Sequence, residues 1–345
     1  MGWTRFIHRR QRESGGTVIQ AGGKAKGGGS ATSSSRPNDA HFRIQCRLVR
    51  ADRADIIGWW KGRRMDSRVD LAQSLAAVYG GHPQVEAVAL GGSLAGQSAD
   101  ERSDLDLYVY LTEALPLETR AAIARTRADR VEVGNDFWEP GDEWIERRAG
   151  LHVDVIYRSA GWAEDQLDRV LRRHLASVGY STCIWHNLRD ASILMDRSGW
   201  LHGIQRAAGV PYPEELVGAI VAKNYPILRA SASAYSSQLR SALARKDWVS
   251  VNHRVAAVLA SYFDILFAVN RALHPGEKRL LEQAGRLCPQ RPARMAEQVH
   301  ALLAAASTGE GVLAALDDLI DNLDLLLGGM QRLQHGQRDW GARAR

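Results

Sequence analysis

The pattern of apolar and polar residues predicts a mixture of helices and strands up to about residue 160. From Met65, apolar residues at Val69, Leu71, Leu75 and Val78 have helical spacing, and this predicted helix ends at two glycines. Strands are predicted at VEAVAL, LDLYVYL, RVEVGNDFW and LHVDVIYR, and a helix near PLETRAAIARTRADR. The acidic segment EPGDEWIERRAG is expected to be a loop. These elements predict a mixed sheet of about four strands with helices between them.

Beyond about residue 162 nearly every segment has helical periodicity. The stretch TCIWHNLRDASILMDRSGWL interrupts this pattern and is expected to form a loop and a short hairpin, in which ILMDRSG is a strand that closes in a turn. The longest apolar helix, VAAVLASYFDILFAV, contains Asp264 and falls short of the roughly 20 residues that cross a bilayer. The predicted fold class is therefore α+β, with a small mixed-sheet core followed by an all-α helical-bundle domain.

The pattern divides the chain into three parts. Residues 1–64 begin with a Gly-, Ser- and Lys-rich stretch that has little to bury, so we expect this extension to be unstructured. A start of translation at Met65 is an equal alternative, and a role for the extension stays open. Residues 65–160 are the predicted catalytic domain, and residues 161–335 are a helical domain that would cover the substrate.

The net charge of +6 does not indicate a nucleic-acid partner, because the excess is confined to the extension. Residues 1–64 carry 14 of the 45 basic and 4 of the 39 acidic residues, which leaves 31 basic and 35 acidic residues in the remainder. Cys46, Cys183 and Cys288 are widely spaced and form no C-x-x-C motif. Neither a disulfide framework nor a zinc site is predicted, and a reducing cytoplasm fits best. No membrane partner is expected, and a homodimer is left open.

The stretch GGSLAGQSADERSDLDLYVYL, residues 91–111, carries the chemistry. Gly92 and Ser93 follow the strand VEAVAL, at a point where free backbone N–H groups can bind phosphate oxygens. Asp104 and Asp106 are two positions apart on the next strand, so their side chains lie on one face, about 7 Å apart. The segment has neither G-x-G-x-x-G spacing nor a P-loop lysine. Phosphate-binding glycines beside paired carboxylates indicate phosphoryl or nucleotidyl transfer.

A third carboxylate, Asp154, stands alone in the alternating strand LHVDVIYR. Next to the strand of Asp104 and Asp106, it could bind a catalytic metal ion and accept a proton from an attacking hydroxyl. The alternative is that Asp-x-Asp is a solvated strand edge and that Asp154 is a structural acid. Strands disfavour Asp and like charges repel, so a bound metal supplies a reason for all three.

This Gly-Ser, Asp-x-Asp and distant-Asp pattern resembles the DNA polymerase β-like nucleotidyltransferase superfamily, which includes kanamycin nucleotidyltransferase. The segment YFDILFAVNRALHPGEKRLL, residues 262–281, resembles the helical domain of uncharacterised function that follows the catalytic core in bacterial members. The resemblance implies two Mg²⁺ ions on Asp104, Asp106 and Asp154, with ATP or another nucleoside triphosphate at Gly92 and Ser93. An acceptor hydroxyl would attack the α-phosphorus and pyrophosphate would leave.

The acceptor is not fixed by these motifs. A small hydroxylated molecule is favoured by the resemblance, and an antitoxin-type enzyme that adenylylates a partner protein, or a silent nucleotide-binding regulator, are the alternatives. Trp138, Asp142 and Glu143 combine aromatic and acidic groups that suit a cationic or sugar-like acceptor, although a solvated loop explains them too. Lys278 in the run HPGEKRL could bind a triphosphate, with a solvated helix start as the alternative.

Overall fold

A computed structural model of the chain describes residues 68–92, 104–137 and 139–343, with side chains up to residue 329. These residues form two compact units. The sheet unit comprises the described residues up to Ala160 together with 191–200, and the helical unit comprises 161–190 and the residues from Leu201 onward. The predicted α+β class, with a mixed sheet followed by helices, is confirmed.

The sheet unit contains six strands in the order β3-β4-β5-β2-β1-β6 among the described residues. Only β2 and β5 pair in parallel, and the other described neighbours are antiparallel. The strands are β1 (Val85–Leu90), β2 (Leu105–Leu111), β3 (Val131–Asn135), β4 (Gly141–Ile145), β5 (His152–Ser159) and β6 (Ser192–Asp196).

Helix α1 (68–80) and helix α2 (Leu117–Arg125) lie on one face of this sheet. On β5, Val153, Val155 and Tyr157 belong to the core on that face. The Tyr157 hydroxyl lies 2.9 Å from that of Tyr79 on α1. Because side chains alternate along a strand, Asp154 must lie on the opposite face of the sheet.

The buried side of α1 differs from the prediction. Val69 and Val78 are exposed, and the helix instead packs through a stripe at the i, i+3, i+4, i+7 spacing of a helix face. Small alanine side chains occupy half of this stripe and let the helix approach the sheet closely, which a search for large apolar residues does not detect. The stripe consists of Ala72, Leu75, Ala76 and Tyr79.

Two segments differ from the sequence analysis. The segment expected to be a loop contains β4, which pairs with β3 on one side and β5 on the other. The side chains of Asp142 and Trp144 are buried on the helix-covered face of the sheet, and this burial stabilises the strand. The interruption near residue 190 contains helix α4 (Cys183–Asp190), and β6 does not form a hairpin but pairs with β1 from about 100 residues earlier in the chain.

The helical unit surrounds the long helix α8 (Trp248–Val269), whose residues from Ser261 to Val269 are all buried. Helix α8 contacts α6 (Glu214–Tyr225), α7 (Tyr235–Ala244), α9 (Leu280–Leu287) and α10 (Met295–Thr308). A π-helical turn at Pro226–Ala230 separates α6 from α7. The other described helices are α3 (Ala160–Leu171), α5 (Trp200–Ala208) and α11 (Val312–Arg343).

Asp264 lies in the middle of α8 and is 1% exposed. Its carboxylate accepts hydrogen bonds from the backbone N–H and the hydroxyl of Ser181, at 2.9 and 2.7 Å, and from the amide of Asn224 at 3.2 Å. Burial raises the pKa of Asp264 to about 6, and these hydrogen bonds oppose the shift. The acid therefore fastens the segment before α4 to the helical core.

A search of the described helices found none with the length and apolar character needed to cross a membrane.

Candidate active site

The carboxylates predicted to act together meet at one edge of the sheet. Strand β1 ends there, and β2 and β5 begin there, because β1 is antiparallel to β2 while β5 is parallel to it. Asp106 and Asp154 are direct partners in the β2–β5 register, so their side chains lie on the same face about 5 Å apart at the backbone. Asp104 immediately precedes β2, and its side chain is 51% exposed.

The glycine turn after β1 packs against this pair of strands. The Gly91 N–H donates a hydrogen bond of 2.8 Å to the carbonyl of Asp106. Gly92 has a φ of +60°, and a Cβ atom at this position would lie 1.7 Å from Oδ2 of Asp106. Only glycine permits this backbone to approach the carboxylate so closely, and the turn therefore brings main-chain groups to the acidic side chains.

Asp154 is half-buried beside other negative charges. Burial, together with the charges of Asp106 and Glu143, raises its pKa to about 6. Glu143 is the direct partner of Asp154 in the β4–β5 register and lies on the same face. A bound cation would offset the repulsion among these carboxylates.

His152, which the sequence analysis missed, lies between two of the acids. Its Nδ1 is 3.9 Å from Asp104 and its Nε2 is 3.4 Å from Glu143. The residue is two positions before Asp154, so the alternation of β5 places both on one face. That period-2 spacing was the available signal. His152 therefore lies between Asp104 and Glu143, which stand on either side of β5.

Of the predicted acceptor contacts, Glu143 lies at this site and Asp142 does not. Asp142 is fully buried on the helix-covered face, where it accepts hydrogen bonds from Arg120 at 2.6 and 3.0 Å and from the Tyr157 hydroxyl at 2.7 Å. Adjacent residues of a strand point to opposite faces, so Asp142 cannot share the site of Glu143. This placement argues against an acceptor contact and explains Asp142 as a partner for a buried guanidinium. Trp138 lies outside the described residues, as does Ser93.

Lys278 belongs to the helical unit, in the connection between α8 and α9, and its side chain is exposed. The same connection contains His274, which is fully buried with its Nδ1 3.4 Å from the thiol of Cys183. This pair is not an activated nucleophile. Burial raises the pKa of Cys183 to about 12 and lowers that of His274 to about 3, so both groups are neutral.

The chemistry of the site fits hard divalent cations. Mg²⁺ prefers carboxylate oxygens, and Asp106 and Asp154 supply them from adjacent strands. Within the described part of the chain, no three acidic, histidine or cysteine side chains already converge as a metal-binding group.

Comparison with known proteins gives one kind of match. No model of a known family matches the chain, and no curated protein does. Eleven chains of solved structures match it. One is the crystal structure of a nucleotidyltransferase-like protein from Exiguobacterium sibiricum 255-15, with 15% identity and a TM-score of 0.39 over 74% of this chain and 73% of that chain. At this identity and TM-score, the similarity does not define the activity of the chain.

Proposed function

We propose that the protein is a Mg²⁺-dependent nucleotidyltransferase. It would transfer a nucleoside monophosphate from ATP, or another nucleoside triphosphate, to an acceptor hydroxyl and release pyrophosphate. One observation carries the proposal: Asp106 and Asp154 are paired across β2 and β5, and the Gly92 backbone lies against the carboxylate of Asp106. In this proposal the turn would bind phosphate beside the two acids that would bind the metal ions.

Each residue has a defined role in this proposal. Asp104, Asp106 and Asp154 would hold two Mg²⁺ ions, which when bound neutralise phosphate charge and polarise the reacting oxygens. The backbone of Gly92 and Ser93 would bind the β- and γ-phosphates. Asp154 would also accept the proton of the acceptor hydroxyl, since it lies opposite Asp106 at the edge of the sheet where the nucleotide would bind.

The residues around the triad suggest the character of the acceptor. Glu143 and Asp104 add negative charge on the same side of the sheet, and His152 lies between them. This acidic rim favours a cationic or hydroxylated acceptor over a polyanion. Glu143 would contact the acceptor, with Trp138 as a candidate aromatic neighbour.

The test is transfer of label from α-³²P nucleoside triphosphates in the presence of Mg²⁺. Purified protein is incubated with a panel of amino sugars, polyols and nucleosides, and separately with cell extract, in which labelled protein would indicate a macromolecular acceptor. Asp106→Asn and Asp154→Asn are expected to abolish labelling. Asp129→Asn is the matched control, because Asp129 pairs with Arg147 on the surface with its side chain 84% exposed.

Three results would contradict the proposal. The first is that the wild-type protein labels no acceptor in either format. The second is that Asp106→Asn and Asp154→Asn retain the activity of Asp129→Asn. The third is that labelling persists in excess EDTA, since the carboxylates would then act without a metal ion.

A further inference from the structure

The Gly91–Gly92 turn is packed against the side chain of Tyr108. A Cβ atom at Gly91 would lie 2.3 Å from Cε2 and 2.5 Å from Cζ of the Tyr108 ring. Tyr108 is 7% exposed and lies two positions after Asp106, so both side chains occupy the same face of β2. The ring therefore supports the turn from below, while the Gly91 N–H is bonded to the Asp106 carbonyl.

An ion pair between the buried Arg158 guanidinium and the partly exposed Glu139 fixes the ring in turn. The guanidinium carbon of Arg158 lies 4.4 Å from the centroid of the Tyr108 ring. Glu139 accepts two hydrogen bonds from Arg158, at 2.8 and 2.7 Å, and only 3% of the Arg158 side chain is exposed. A planar guanidinium held at two points has little rotational freedom, so the ring beneath it is held as well.

This arrangement is more than packing requires. Burying a guanidinium is costly, and an apolar side chain could fill the space beside the ring without that cost. Arg158 lies four positions after Asp154 on β5, so both side chains are on the same face of the sheet. The ion pair of Arg158 and Glu139 therefore continues along the face that carries the carboxylates. Geometry, and not only stability, accounts for the charged residues here.

We propose that Tyr108 is a positioning residue, held by Arg158 and Glu139, which sets the height of the Gly91–Gly92 turn above the carboxylate of Asp106. This inference rests on the proposed function, because it concerns how the turn binds the triphosphate. A displaced turn would separate the phosphate-binding groups from the metal-binding acid. The ring acts through the turn and does not itself contact the reacting atoms.

The experiment measures the Kd of Mg-ATP, kcat/KM and the melting temperature for four variants. Tyr108→Ala removes the ring that supports the turn and is expected to lower kcat/KM about 10²-fold, because a displacement near 1 Å has an effect of that size. The Kd of Mg-ATP should increase as well. Tyr108→Phe keeps the ring and should stay close to wild type. Gly91→Ala drives a methyl group into the ring and should resemble Tyr108→Ala.

The decisive variant is the double substitution Gly91→Ala with Tyr108→Ala. Because both changes act on one contact, the second should add little to the first, whereas independent sites would give additive losses. Additive losses, or a lowered melting temperature with unchanged Kd and kcat/KM, would overturn the inference. Wild-type protein that binds no Mg-ATP would overturn it too. If the wild type binds Mg-ATP but transfers nothing, the proposed function fails, and the Kd values still judge Tyr108.

Discussion

Gly92→Ala tests whether the close approach of the turn to Asp106 matters for activity. The new Cβ would lie 1.7 Å from Oδ2 of Asp106, and tolerated contacts are 3.0 Å or longer. The carboxylate or the turn must therefore move by at least about 1.3 Å. A second cost arises because alanine at φ +60° is strained by about 1–2 kcal/mol.

Gly150→Ala separates these two effects. Gly150 has the same φ of +60° in the turn between β4 and β5, and nothing lies within 4 Å of the position that an alanine methyl group would take there. Gly150→Ala should lose about 1–2 kcal/mol of unfolding free energy in urea titrations, and Gly92→Ala should lose at least as much, because it also displaces the carboxylate or the turn. Only Gly92→Ala should also lose activity, by about 10²-fold in kcat/KM for the nucleotide, because it displaces a metal-binding carboxylate. Equal activities for the two variants would refute the reasoning.

Three further outcomes follow from the buried polar groups. The pKa of Asp264 is raised from 3.8 to about 6, so the stability that this acid contributes is complete below pH 4 and is lost as the pH rises through 6. Over this interval the wild type should lose about 3 kcal/mol more of its free energy of unfolding in urea than Asp264→Asn does. Parallel pH profiles for the two proteins would contradict this. Asp142→Ala leaves its guanidinium partner buried and should cost about 3–5 kcal/mol in urea unfolding, against less than about 1 kcal/mol for Asp129→Ala. Cys183, whose pKa is raised to about 12, should react with iodoacetamide at pH 8 about 10³-fold more slowly than a free cysteine, as followed by mass spectrometry; labelling at the ordinary rate would show an accessible thiolate.

The sequence sufficed for those parts of the site that depend on local periodicity. The spacing of Asp104 and Asp106 and the alternation around Asp154 predicted strands with one acidic face, and β2 and β5 are adjacent with Asp106 opposite Asp154. The same alternation would have placed His152 and Arg158 on that face. The period of a strand specifies which residues share a face.

The sequence did not predict features that depend on distant partners. Strand β4 carries two acids and was expected to be a loop, because the stabilising partner of Asp142 is Arg120, 22 residues earlier on α2. Likewise β6 pairs with a strand about 100 residues away. The contact between Gly92 and the Asp106 carboxylate is a steric fact of the folded turn, which no periodicity encodes.

The position of the label in the products tests the central claim most directly. Wild-type protein is given Mg²⁺ and ATP labelled either at the α- or at the γ-phosphorus, and the acceptor and the released phosphate species are separated. Attack at the α-phosphorus predicts that α-label appears on the acceptor and that γ-label appears in pyrophosphate. Transfer of γ-label to the acceptor would identify a kinase, and release of both labels without a modified acceptor would identify a hydrolase; either result would contradict nucleotidyl transfer.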